Sequence, residues 1–255
     1  MNLSAIDIGI LGPAFLAGLL VLATHVPLGR EVLDRGIVFI DLAIAQIAGL
    51  GVILAESLGL PDGGLWTQVA AVAAALLGAL LLTWTERRAA EQQEALIGVL
   101  FVLASCVGIL LLSGNPHGGE HLKDLLVGQI LWVSPAQLTA LAAVSAVIGL
   151  ALALGWNRRL GRFGFYGLFA VAVTASVQLV GVYLVFSSLI IPALATRAWT
   201  GRRRLVAAYL LGAVGYALGL LLSALFDLPS GAIMVCVLAA CGLALALTFS
   251  PSRVP

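Results

Sequence analysis

The chain has 255 residues, of which 62% are hydrophobic and only 10% are charged, and its net charge is +1. A soluble domain carries about 25% charged residues, so this composition excludes an ordinary globular enzyme, and the near-neutral balance argues against nucleic acid as a partner. The apolar residues fall in blocks of roughly 20, each long enough to cross a bilayer, and no soluble domain of useful size fits between them.

In chain order the expected spans are 8–27, 36–58, 65–84, 95–113 and 136–156, then a longer block 166–199, then 205–226 and 230–249. The fold class is therefore all-α: a polytopic integral membrane protein of about seven to eight transmembrane helices, forming one transmembrane domain over residues 1–255. The segment before the first span lacks a basic stretch, so no cleavable leader is expected. The 29 glycines suit close helix–helix approach in lipid. Gly215 and Gly219 form a G-x-x-x-G that reads as a helix contact, either within the chain or between two copies. Cys106, Cys236 and Cys241 are odd in number, match no zinc spacing, and read as small buried hydrophobes.

Within the second block stands Asp41, followed by Gln46, among the small residues Ala43, Ala45, Ala48, Gly49 and Gly51. A carboxylate is costly in hydrocarbon and by default faces a polar pathway or a partner. The alternative is that Asp41 lies near the membrane surface and caps or pairs locally.

Basic residues set the orientation, because short cytoplasmic loops are enriched in Lys and Arg. Arg30 with Arg35, Arg87 with Arg88, the Arg158–Arg159–Arg162 group, Arg202–Arg204 and Arg253 mark one side. Glu56 with Asp62, the 117–124 loop and Asp227 mark the other. Alternation places the N-terminus outside and the C-terminus in the cytoplasm, and it fails once. The block 166–199 has basic segments at both ends, is too long for one simple span and too short for two. A broken or re-entrant segment resolves this, and such backbone is tolerated at membrane depth only inside protein or beside water. Gly181, the pair Ser187–Ser188, and Pro192 are the candidate break points. Gln178 in the same block either lines a pathway or makes an interhelical hydrogen bond.

Several segments, in order, resemble the zinc/manganese-type ABC importer permeases. They are HVPLGREVLDRGIVFIDLAIAQIAGLG at 25–51, EALIGVLFVLASCVGILLLS at 94–113, DLLVGQILWVSPAQL at 124–138, VQLVGVYLVFSSLIIPALATR at 177–197 and FDLPSG at 226–231. The resemblance implies the permease subunit of an importer for a divalent metal, zinc or manganese, in a bacterial-type cytoplasmic (inner) membrane. It implies a permease homodimer, a cytoplasmic ATPase subunit that binds ATP, and an extracytoplasmic metal-binding protein. No cofactor is expected on this chain, which lacks a G-x-x-x-x-G-K-[ST] phosphate loop, so it is not expected to be an enzyme. The segment 191–200 corresponds to a short coupling helix against the ATPase, which assigns that role to Ile191, Pro192, Ala193, Leu194, Thr196 and Arg197. An ordinary helix end with positive-inside arginines is the structural alternative.

The chain also departs from the family. The second span of the family carries Asp and His four residues apart, a spacing that puts both on one helix face. Here the residue four after Asp41 is Ala45. Gln46 lies five residues on, about 140° around the helix, and is a weaker partner for zinc than imidazole. The cargo is then zinc or manganese on a looser path, another metal or a metal chelate, or a metal held by residues of another helix.

His117, Glu120 and His121 stand together in an outer loop and are a second candidate metal group with Asp41. Their H-x-x-E-H order matches a zinc protease pattern on a helix, but Pro116 and two glycines oppose a helix there. A solvated polar turn is the remaining alternative. His25 reads as packed or interfacial. Glu86, Arg87, Arg88, Glu91 and Glu94 read as a mixed-charge inner loop that is solvated or touches the ATPase. An ATP-independent channel or secondary carrier is the competing class; it calls for inverted repeats with broken helices in both halves, and a break is expected in one half only.

Overall fold

Asp7 opens the first helix: its carboxylate accepts the Gly9 N–H at 2.7 Å, an N-cap that satisfies one orphan donor. The computed structural model describes residues 7–60, 64–112 and 126–248. Its helices are α1 Ile8–Arg35, α2 Ile40–Ser57, α3 Leu65–Arg88, α4 Gln93–Leu112, α5 Pro135–Ala153, α6 Trp156–Arg159, α7 Gly161–Ala195, α8 Gly201–Phe226 and α9 Ser230–Thr248. Among the described residues, eight helices are long and apolar enough to cross a membrane.

The first span runs eight residues beyond its expected end at Pro27, so Arg30 and Arg35 belong to α1 and not to a loop. Proline removes the N–H that would bond the carbonyl four residues back. Here that carbonyl is Ala23 O, and the Tyr209 hydroxyl of α8 donates to it at 3.2 Å. The helix survives because a neighbouring helix supplies the lost donor. Gly36 then ends α1 in a left-handed conformation, φ 71°. At α5 the start is fixed by a capping box, Ser134 with Gln137, and Pro135 in the first turn.

Helix α7 is the core of the molecule. Of its apolar window, 72% is buried within the chain, against 22% for α4, α5 and α9. Helices α1, α3, α2 and α9 all pack on it. Gly215 and Gly219 of α8 meet Leu238 and Met234 of α9, so the G-x-x-x-G contact lies within the chain. The cysteines correct the expectation of burial: Cys106 and Cys236 are exposed and Cys241 is half-buried. An apolar side chain of a membrane helix can face lipid as readily as protein, so hydrophobicity alone does not bury it.

The long block behaves as the loop charges require. Helix α7 breaks at Gly181, φ 78° and ψ 161°, a backbone region that is essentially glycine-only. Residues 161–180 rise about 30 Å and residues 182–195 return about 21 Å. Contacts fix the reversal. Tyr166 meets Gln93 at the start of α4, Leu179 meets the 126–132 segment at the other end, and Ile191 is back beside Gly242 near the end of α9. Ser188 and Pro192 stay helical; Ser188 Oγ bonds Leu184 O at 2.6 Å and shares a hydrogen bond with the Tyr216 hydroxyl at 2.9 Å.

At the vertex, three glycines let backbones touch. A Cβ on Gly181 would strike the backbone of Val127 and Gly128, and one on Gly128 would strike Val180 and Gly181. Gly231 at the start of α9 faces Val127 O just as closely. The break frees Leu179 O, which accepts the Gln129 N–H at 3.1 Å, so the irregular backbone keeps its hydrogen bond.

Candidate translocation site

Basic residues gather at one end of the bundle, where α1 and α3 finish and α7 and α8 begin. Arg162 pairs with Glu86 at 3.1 Å, Arg204 with Asp34 at 3.8 Å and Arg35 with Glu31 at 2.7 Å. The Arg35 guanidinium also lies over the Phe165 ring, 4.2 Å from its centroid. Glu86 is thus tied to α7 through Arg162.

Asp41 lies in the first turn of α2 at this same end. It is 1% exposed, and neither carboxylate oxygen has a hydrogen-bond partner. Buried polar groups are nearly always satisfied, so this one is an exception with no structural role in view. It does not cap its helix: the N-cap position is Phe39, without a side-chain bond of its own. The helix dipole favours a negative charge there, and the backbone N–H groups of Asp41 and Leu42 lie near the carboxylate without closing a hydrogen bond to either oxygen.

The residue missed by sequence reasoning is Glu94. It belongs to the first turn of α4 and not to a loop. One oxygen accepts the Phe39 N–H at 3.2 Å, and the other is buried without a partner. Glu94 therefore reaches from α4 to the start of α2, two residues before Asp41, and lies within electrostatic reach of it. The available signal was its place as the last charge before a wholly apolar block.

The remaining candidates are dispersed. Gln46 is half-buried farther along α2. Gln178 lies at the opposite end, where its carbonyl oxygen accepts from the Gln68 side chain of α3 and its own NH₂ is buried without a partner. His25 is fully buried, with Nδ1 on Val21 O at 2.9 Å, so it is packed as expected. His117, Glu120 and His121 lie outside the described residues. Among the described residues, no group of three or more His, Cys, Asp or Glu could hold a metal.

The 191–200 segment is not a separate helix. Residues 191–195 are the last turn of α7, capped at Thr196, whose hydroxyl bonds Pro192 O at 2.7 Å. Pro192, Ala193 and Thr196 are buried, Ile191 is half-buried, and Leu194 and Arg197 are exposed at the basic end. The turn to Gly201 is short and follows directly on the returning half of α7.

The pattern of the ABC 3 transport family matches residues 7–160 and 150–249. The chain belongs to that family. The permease resemblance read from the sequence is borne out at this level. The manganese transport system membrane protein MntC of Halalkalibacterium halodurans is 26% identical over 246 residues, covering 89% of this chain and 82% of that protein. The chelated iron transport system membrane protein YfeC of Yersinia pestis is 26% identical over 180 residues, covering 63% of this chain and 61% of that one. The structure of PsaBC from Streptococcus pneumoniae in complex with Fab shares the fold, with a TM-score of 0.75 at 22% identity over 96% of this chain and 95% of that one. This family member is a multi-pass membrane protein, and its helices are transport machinery.

Proposed function

We propose that this chain is the permease subunit of an ABC importer that carries a divalent metal ion across the cytoplasmic membrane. One observation carries the reading: a family match along the chain whose second span holds a buried carboxylate without a partner. Relatives named for manganese and for chelated iron support a metal cargo. They also favour, as a second reading, a metal chelate in place of the bare ion.

In this reading the arginine-rich end is cytoplasmic, so the C-terminus is cytoplasmic too. The cargo arrives from an extracytoplasmic metal-binding protein, passes Gln178 at the far end and reaches Asp41 and Gln46 on α2. Two permease copies enclose the path, and the loop group His117, Glu120 and His121 collects metal on the outside. ATP is bound and hydrolysed on a separate subunit, docked against the exposed side of the 191–197 turn, at Leu194 and Arg197. Because 182–195 is one continuous half-helix ending in that turn, a push at the turn moves the whole segment between the basic end and the Gly181 vertex. This couples the ATPase to alternate opening of the two ends.

The test is cellular metal content under metal limitation, in a deletion strain, wild type and Asp41→Ala at equal protein level. The expected result is selective loss of one metal in both mutants. Unchanged metals in a deletion strain without a redundant importer would sink the assignment.

A further inference from the structure

The molecule leaves several buried polar groups unpartnered, and two of them converge on one helix start. Asp41 offers two dry oxygens and Glu94 one, on α2 and α4, with no imidazole or thiolate ligand one helical turn on from Asp41, where Ala45 stands. Two carboxylates placed this way repel each other, and among the described residues none closes a hydrogen bond to their free oxygens, although the backbone N–H groups of Asp41 and Leu42 lie near the first carboxylate and that of Val38 near the second. Their roles as helix-dipole partners explain their sign and leave the empty lone pairs unexplained. A divalent cation between them would balance both charges and satisfy those oxygens.

We propose that Glu94 is the second ligand, with Asp41, of an all-oxygen site that takes a hard divalent cation such as Mn²⁺ with no more than a small preference for Zn²⁺. The inference rests on the import reading above and deepens it by naming the site and the cation class. Carboxylate and water ligands suit manganese, whereas imidazole and thiolate ligands are what favour zinc. Two protein ligands leave most coordination positions to water. That suits an ion that must leave again, and a closed site of four protein ligands would hold it. Glu94 also holds the Phe39 N–H, so the same side chain fixes the start of α2 and thereby the position of Asp41.

The experiment is a titration of the purified full-length chain in lipid nanodiscs with Mn²⁺, read by the loss of the free-ion paramagnetic resonance signal, with Zn²⁺ as competitor. Wild type is expected to bind Mn²⁺, with Zn²⁺ no more than about tenfold tighter. Glu94→Gln retains an oxygen for the Phe39 N–H and loses the charge; it is expected to weaken Mn²⁺ binding about tenfold or more, as is Asp41→Asn. Should Glu94→Gln not fold, Glu94→Asp serves instead, and it is expected to bind Mn²⁺ measurably more weakly than wild type while unfolding at the same temperature. Wild-type affinity in the folded Glu94 variant overturns the role of Glu94, and Zn²⁺ bound more than about tenfold tighter overturns the cation class. Either failure alongside a selective metal loss in the deletion strain leaves the import reading standing, whereas unchanged cellular metals would remove that reading itself.

Discussion

The two ends of the helix bundle use opposite solutions to the same problem of polar backbone and side chains at membrane depth. At the Gly181 vertex the irregular backbone is held by architecture: glycines let backbones touch, and Leu179 O, beside the break, accepts the Gln129 N–H. At the start of α2, buried oxygens of Asp41 and Glu94 have no hydrogen-bond partner. The first region is explained by architecture alone. The second is not, and unsatisfied groups that architecture does not use are where function is to be sought. The comparison predicts that substitutions at the vertex damage the fold, and that substitution of Asp41 damages transport and spares the fold.

The largest expected effect on stability is at the vertex. Gly181→Ala forces a side chain into a glycine-only conformation, about 1–3 kcal/mol on its own, and drives its Cβ into the backbone of Val127 and Gly128. Little folded, monodisperse protein should be recovered from membranes, and wild-type yield and unfolding temperature would break the comparison at its stronger side. A smaller loss is expected for Tyr209→Phe, which strips Ala23 O of its donor, about 1 kcal/mol. The same change made on a Pro27→Ala background should have nearly no effect, since the restored N–H can bond that carbonyl. Equal losses in both backgrounds would show that Tyr209 does not stand in for the proline. Smaller again is Gln68→Leu, which removes the bond to Gln178, about 0.6 kcal/mol by the usual worth of a hydrogen bond between membrane helices. Thermal unfolding in detergent resolves the order of the three.

Much of this was legible in the sequence. Spans follow from apolar runs, and the reversal inside 166–199 follows from arginines at both ends of one block. Gly181 was one of three candidate breaks. Ser188 stays helical with a tertiary hydrogen bond to Tyr216 that local sequence does not encode, and Pro192 is accommodated in the last turns of the helix. For the same reason Pro27 misled: the donor that rescues Ala23 O comes from Tyr209, far along the chain. Asp41 stood out because it is a lone charge in an apolar block. Glu94 did not, because it follows Glu86, Arg87, Arg88 and Glu91 and looked like more of the same loop. Only the packing of α4 on α2 separates it from them.

The central claim is that the Asp41 carboxylate serves transport and not the fold. Its most direct test is a paired measurement on Asp41→Asn in the assembled transporter: radiolabelled Mn²⁺ uptake and the unfolding temperature of the same preparation. The account predicts that uptake is lost and that the unfolding temperature equals or exceeds that of wild type, because a buried carboxyl group without a hydrogen-bond partner has been replaced by an amide that cannot ionise. Uptake that survives, or an unfolding temperature that falls together with it, would contradict the account.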